Sequence, residues 1–295
     1  MSRYRFIREE QAVYPVAILC RVLGVARSAY YAWARRGVSA RAQVAADLAE
    51  QIAAAHARSR GTYGSPRVHA ALRAAGVRTA RRRVARLLRA AGLAGCHRRR
   101  RTRTTSADPA HAPAPNLVAR DFAASAPDRR WRGDSTYLPT GEGWRSLAVL
   151  LDAHARRVIG WALADHRRTA LALDALAMAL QARRPPPGLV QYTDRGCQYT
   201  AAAYREALAA RGLIASMRRS GECLDNAMAE RFFATRKAEL VDRHHWATRA
   251  AARTAIFAWI AVFDNRQRAH SALAYRPPAT FEAAMVLLRC PAASS

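Results

Sequence analysis

Lysine is almost absent from this chain: Lys237 stands alone among 49 basic residues in 295. Acids are scarce too, 21 against those 49, which leaves a formal charge of +28. An imbalance of that size points to a polyanionic partner, because neutralising phosphates releases counterions and drives association. A GC-rich coding sequence accounts for arginine in place of lysine, but not for the excess of bases over acids. Cysteine is sparse and scattered, with Cys20, Cys96, Cys197, Cys223 and Cys290 forming no C-x-x-C pair. An odd number without that spacing excludes a disulfide framework and a structural zinc site, and it suits a reducing, cytoplasmic setting. No run of 18 apolar residues occurs, which excludes a membrane-spanning helix, and the opening MSRYRFIREEQ lacks a signal-peptide core. No amphipathic basic helix with an aromatic face stands out, so nucleic acid rather than a membrane surface is the expected polyanion.

The charge is concentrated at one end. Residues 1–105 hold 23 basic and 4 acidic residues, net +19, whereas residues 106–295 hold 26 and 17, net +9. Residues 1–40 have the pattern of a helix-turn-helix. Val16, Leu19, Cys20 and Leu23 recur at helical spacing, Gly24 makes the turn, and Ser28 opens a second helix with Tyr30 and Trp33. Residues 41–95 form a second helical, DNA-binding segment: a helix from about Ala42 to Arg58, a helix started by Pro66, a turn at Gly76, and a helix capped by Thr79. In this last helix Val84, Leu87, Leu88 and Ala91 face inward, and Arg81, Arg82, Arg83, Arg86 and Arg89 fill the rest. A basic helix after a glycine turn has the form of a DNA recognition helix; the alternative is a solvated charged face. Residues 96–127 read as a linker, with a basic run from Arg98 to Arg103 and then an Ala- and Pro-rich stretch.

From Arg130 the pattern turns to strands and then to strands alternating with helices. Strands are expected near 130–138, 144–152, 157–163, 189–193 and 213–217, with helices at about 169–183, 200–211 and 225–241. The hairpin-like connections near Gly143 and His154 make the first three strands antiparallel, and connection through helices makes the later ones parallel. The fold class is therefore α/β, a mixed five-stranded sheet with helices over residues 128–245, preceded by an all-α region. A helix at about 248–263 and an extended tail make up residues 246–295.

Three acids sit in three separate motifs: Asp134 in WRGDSTYLPT, Asp194 in QYTDRGCQYT and Glu230 in SGECLDNAMAERFF, with 35 residues between the last two. In a chain with 21 acids the spacing alone says little; the context says more. Asp134 lies in a strand, Asp194 follows a short apolar run at a strand's carboxyl end, where open α/β folds place reactive groups, and Glu230 falls in a helix that Asp225 caps. Two metal ions handling a phosphodiester need carboxylates converging from different elements. Without a companion Cys or His cluster, two Asp and one Glu suit magnesium, with manganese substituting, better than zinc.

At these residues the chain resembles the OrfB-type transposases of the insertion-sequence three family, within the retroviral-integrase superfamily. The family pattern near the second Asp is close to HSDRGSQYTS, against QYTDRGCQYTA here. Its Glu motif is close to GNCYDNAxAExFFxxLKxEL, against GECLDNAMAERFFATRKAEL, and its tail close to FYNxxRxHSALGYxSPxxFE, against FDNRQRAHSALAYRPPATFE. YPVAILCRVLGVARSAYYAW and YGSPRVHAALRAAG also look like family sequence, so the resemblance runs nearly the whole length. Tyr192 stands where the family has His, Glu222 where it has Asn, Leu224 where it has Tyr, Asp264 where it has Tyr and Ala274 where it has Gly; none touches the three acids. The paired His and Cys zinc module of retroviral integrases is missing.

The resemblance implies a ribonuclease H-like core with Asp134 and Asp194 on adjacent strands, cleaving and transferring DNA strands at the terminal inverted repeats. Asp134 would bridge two ions, Asp194 bind one and Glu230 the other. The family's partners are the element ends, target DNA, further copies of the chain, and an upstream-frame protein fused by frameshift. Lys237 lies seven residues after Glu230, two helical turns on, and matches a family Lys; its compact ammonium suits the terminal phosphate of the DNA end. Tyr192 and Tyr199 read as structural rather than nucleophilic, His270 as a packing residue with DNA contact as the alternative, His244 and His245 as a helix-end surface, and Asp152 as a turn residue with an extra acid near the site as the alternative. Two other classes stay open: a decayed element protein that only binds DNA, which a nicking assay separates, and a ribonuclease H-like nuclease acting on hybrids.

Overall fold

The computed structural model describes residues 2–37, 39–96, 124–217 and 227–289. The basic run Arg98–Arg103, most of the linker, the departures Glu222 and Leu224, and the cap Asp225 lie outside the described residues. The chain divides into two compact units, 1–54 and 55–295.

In the first unit, α1 (Arg3–Glu10), α2 (Val16–Val22) and α3 (Arg27–Arg35) enclose Ile7, Leu19, Cys20 and Tyr30. No sequence pattern marks α1. Its charged run hides one buried residue, Ile7, while Tyr4 stacks on Trp33 at 5.5 Å and the Arg8 guanidinium covers the same Trp33 ring at 4.3 Å. The α3 helix begins at Arg27 with Ala26 as its cap, so Ser28 lies inside it rather than opening it. A long helix, α4 (Ala40–Arg58), crosses the division at Ala54.

Residues 55–96 lie in the second unit. Helices α5 (Ser65–Ala74) and α6 (Arg81–Ala90) pack through Val68, Leu72, Val84 and Leu88, joined by a turn at Gly76, whose φ of +81° favours glycine. The cap of α6 is Ala80, without a side-chain hydrogen bond; the Thr79 carbonyl instead pairs with the His69 ring, 3.0 Å away. Val84 and Leu88 face inward as expected, Leu87 is half-buried and Ala91 is exposed. The α5 end is tied to the C-terminal region by buried polar contacts. Arg67 donates from Nε to the Ala269 carbonyl at 3.1 Å, and the Ala269 amide donates to Tyr63 Oη at 2.6 Å.

The sheet has the order β3-β2-β1-β4-β5, from β1 (Arg130–Thr140), β2 (Gly143–Asp152), β3 (Val158–Ala164), β4 (Val190–Thr193) and β5 (Ile214–Met217). The first three are antiparallel and β4 and β5 run parallel to β1. From Ser146 onward β2 is buried on both faces, and α7 (Thr169–Arg183) covers one of them through Leu171, Ala175, Leu176 and Ala179. Gly160 on β3 permits that contact, since a Cβ there would lie 2.2 Å from the Ala175 carbonyl oxygen. The expected helix at 200–211 is split into α8 (Cys197–Thr200) and α9 (Ala202–Ala209).

Beyond the sheet come α10 (Ala227–Glu239) and α11 (Arg249–Phe257), the latter passing into a π-helix at 258–264. The expected extended tail is instead α12 (Pro278–Arg289). The Pro277-Pro278 pair presets the first helical φ, and the following Ala, Met and Leu residues are good helix formers, so here proline starts a helix rather than stopping one. Ala274, where the family pattern has Gly, has φ +51°, a region that favours glycine.

Candidate active site

The parallel register of β1 and β4 pairs Arg132 with Tyr192. Two residues further along each strand come Asp134 and Asp194, side by side where β4 ends. Close approach here depends on Gly133, because a Cβ would sit 2.9 Å from Gln191 Nε2 and 3.1 Å from Thr193 Cγ2. Each acid is held by a backbone amide: Ser135 N–H donates to Asp134 Oδ1 at 2.8 Å, and Gly196 N–H to Asp194 Oδ1 at 3.0 Å. The third acid, Glu230, is half-buried on α10, which packs against β1.

The electrostatics tie the three together. Asp134 is pushed up to about 7 from an ordinary 3.8, first by burial and next by the Asp194 charge, with Glu230 adding to the rise. The Ser135 amide and Arg167 act against it. A carboxyl raised by neighbouring carboxylates in this way marks a place where a cation is favoured. Among the described residues, no three His, Cys, Asp or Glu side chains stand close enough to enclose a single ion.

Several neighbours are not legible in the sequence. Arg167 donates from Nε to Ser135 Oγ at 2.9 Å and from Nη2 to the Ser135 carbonyl at 3.3 Å, and Gln198 Nε2 donates to the same Oγ at 3.0 Å. Ser135 thus anchors the strand beside Asp134. Arg167 follows β3 in a connection without periodicity, so no sequence pattern marks it. Tyr199 is buried beside both aspartates; burial, then Tyr204 and the aspartates, raise its hydroxyl well above the ordinary value, which suits a packing role. Tyr192 is also buried, under the Arg132 guanidinium at 5.1 Å.

The remaining sequence candidates lie apart from this cluster or on its rim. Lys237 is exposed on α10, two turns from Glu230. Arg81, Arg82, Arg86 and Arg89 are exposed on α6 and Arg83 is half-buried. Asp152 takes the turn role: it accepts from the His154 and Ala155 amides at 2.9 and 2.7 Å, and from the Asp128 amide at 2.8 Å. His270 pairs with Asp264 at 3.2 Å, and His244 stacks on Trp246.

A sheet in this order, three strands antiparallel and two parallel, with one acid within β1 and another just past the end of the neighbouring β4, is a ribonuclease H-like core of the integrase type. Models of the integrase core domain match residues 124–223 and 211–278, and a model of an HTH-like domain matches 43–101. The transposase InsF for insertion sequence IS3A of Escherichia coli is 39% identical over 282 residues, covering 95% of this chain and 98% of that protein. A 31 kDa protein of insertion element IS600 from Shigella sonnei is 39% identical over 264 residues, covering 89% and 97%. Among solved structures, the HTLV-2 integrase catalytic core domain in complex with magnesium is 16% identical, with a TM-score of 0.42 over 54% of this chain and 99% of that one.

The chain belongs to the IS3 family of insertion-sequence transposases. It is a DNA transposase, an enzyme of polynucleotidyl transfer. No helix among the described residues is long and apolar enough to cross a membrane.

Proposed function

We propose that this transposase cuts DNA at the ends of its insertion sequence and joins them to target DNA, with Asp134, Asp194 and Glu230 as its catalytic carboxylates. The observation that carries the reading is electrostatic: one carboxyl, Asp134, senses both of the others. All three supply hard oxygen donors that repel one another, which fits magnesium or manganese. Two ions that keep waters and take substrate phosphate oxygens need few carboxylates each, so three acids need not enclose one ion. Bound there, the ions would activate a water or 3′-hydroxyl and stabilise the leaving oxygen.

The chain's own groups do the rest. The Ser135 and Gly196 amides orient the aspartates, and Arg167, through Ser135, holds β1 beside them. Neither Tyr192 nor Tyr199 is needed as a nucleophile. The DNA partners are the terminal inverted repeats and target DNA, bound by several copies of the chain, with an upstream-frame protein as a further partner. The test is to compare a duplex ending in the inverted repeats that bracket the gene with an RNA–DNA hybrid, both in magnesium. Cleavage at the repeat ends is expected; hydrolysis of the hybrid alone would overturn the reading in favour of a hybrid nuclease.

The α6 arginines are proposed to lie along DNA phosphates. Because residues 55–96 share a compact unit with the core, substitution in the whole chain is the right test, rather than truncation. Changing Arg81, Arg82, Arg86 and Arg89 together to Gln should lower the slope of log affinity against log salt by about 3–4. An unchanged slope returns them to a solvated face.

Lys237 is proposed to hold the terminal phosphate of the donor end as a point charge. Lys237→Ala should lose strand transfer roughly tenfold or more, and Lys237→Arg less, since the charge is kept. Two near-neutral substitutions would leave Lys237 as surface.

A further inference from the structure

A second basic site lies on the opposite side of α10 from Glu230. Met228, Arg231, Phe232 and Thr235 recur at spacings of three and four, so they share one helix face, roughly half a turn from Glu230 and Lys237. That face lines a cleft with about 620 Å³ of empty space, part of it open to solvent. Its other walls bring Arg67 from α5, Arg156 from the β2–β3 connection, and Asp264, Arg268 and His270 from beyond α11.

The charges in this cleft do not balance. Arg268 is held by Glu239 through two hydrogen bonds of 2.8 Å, Arg67 reaches the same carboxylate at 3.3 Å, and Asp264 pairs with His270. Among the described residues, Arg156 and Arg231 have no carboxylate partner. Arg156 and Arg231 both line the cleft; burial lowers the Arg156 guanidinium, and the neighbouring Arg231 charge lowers it further. Arg156 also sits at φ +59°, where glycine would be at ease, yet the position carries a long cationic side chain. Two guanidiniums that line one cleft, Arg156 half-buried and Arg231 exposed, offer a fork for a phosphate, because Asp264, the carboxylate that lines the same cleft, is taken up by His270 and Arg268.

We propose that this cleft is a phosphate-binding site that takes one backbone phosphate of a DNA strand between Arg156 and Arg231. The proposal rests on the chain's substrate being DNA. It gives α10 a phosphate contact on each side, one near Glu230 and one behind it, so strand binding at the cleft would steady the helix that carries the third acid.

The test measures binding of the whole chain to the repeat-end duplex in EDTA, across a range of salt, where cleavage plays no part. Arg156→Gln and Arg231→Gln should each weaken binding roughly tenfold near physiological salt and lower the salt slope by about 1. The double variant should lower the slope no further, because both side chains hold one phosphate. Arg156→Lys with Arg231→Lys should retain the slope, which separates lost charge from lost folding. Arg205→Gln, an exposed position on α9, serves as the control. In a parallel arm, inorganic phosphate should raise the melting temperature of the wild-type chain over chloride at equal ionic strength, but not that of the double Gln variant. Stabilisation by inorganic phosphate with an unchanged DNA slope overturns the assignment to a DNA strand. So does a folded double Gln variant that binds DNA with wild-type affinity. A failure of the acid assignments would show instead as cleavage surviving in the acid variants, with this binding behaviour intact.

Discussion

Asp134→Asn, Asp194→Asn and Glu230→Gln should each abolish cleavage and strand transfer, a loss of at least about a hundredfold, with DNA binding nearly unchanged. Each swap removes one negative charge while keeping the side chain's size, so the fold has no reason to move. Asp134→Asn carries a second signature. In the metal-free chain Asp134 is raised to about 7 from 3.8, so between roughly pH 4 and 7 the folded state holds a proton that the unfolded chain releases. Stability should therefore fall as pH rises through that window and level off above it. Asparagine removes this dependence and should stabilise the metal-free protein at pH 8 by about 2 kcal/mol, after discounting for the part of Asp134 open to solvent. Magnesium should raise the melting temperature of the wild-type chain at pH 8 and leave that of Asp134→Asn little changed. Wild-type cleavage by any of the three variants in magnesium would sink the assignment.

The largest effect on stability is expected at Glu239. Its carboxylate receives Nε and Nη2 of Arg268, both at 2.8 Å, and Nη1 of Arg67 at 3.3 Å, with Glu239 and Arg268 side chains only 4% and 5% exposed. Burial alone would lower the Arg268 guanidinium, but the hydrogen bonds and charge of Glu239, with Asp264, outweigh it and hold the group above its ordinary value. Glu239→Gln leaves the buried Arg268 with only Asp264, 3.7 Å from its Nη1, as counter-charge, and breaking such a buried pair typically costs about 3–5 kcal/mol, here toward the lower end. Denaturant titration measures this directly, and pairing the change with Arg268→Met should recover much of the loss. The same substitution loosens the seat of α5, so binding through α6 should weaken as well. A loss under about 1 kcal/mol would mean that the network contributes little.

Much of the catalytic half is legible in local pattern alone. The five strands and the long helix at 169–183 follow from alternation with period two, apolar spacing with period 3.6, and Gly and Pro at the breaks. Antiparallel and parallel pairing follow from the lengths of the connections. The prolines before α12 are ambiguous because Pro both ends and begins helices, and α1 is hidden because its short apolar face is filled partly by Tyr4 against Trp33.

What the sequence determined by itself was the fold class, the elements that carry the three proposed acids and the demand for a polyanion, since each is written in local spacing or in summed charge. Only the tertiary structure decided which distant groups meet. It set Arg167 and Gln198 on Ser135, joined Arg67 to Glu239, and brought Arg156 and Arg231 to one cleft. Contacts between residues tens or hundreds of positions apart depend on the packing of whole elements and leave no periodicity in either segment. The shift at Asp134 has the same origin, because it reflects burial and two carboxylates that reach it from another strand and a helix.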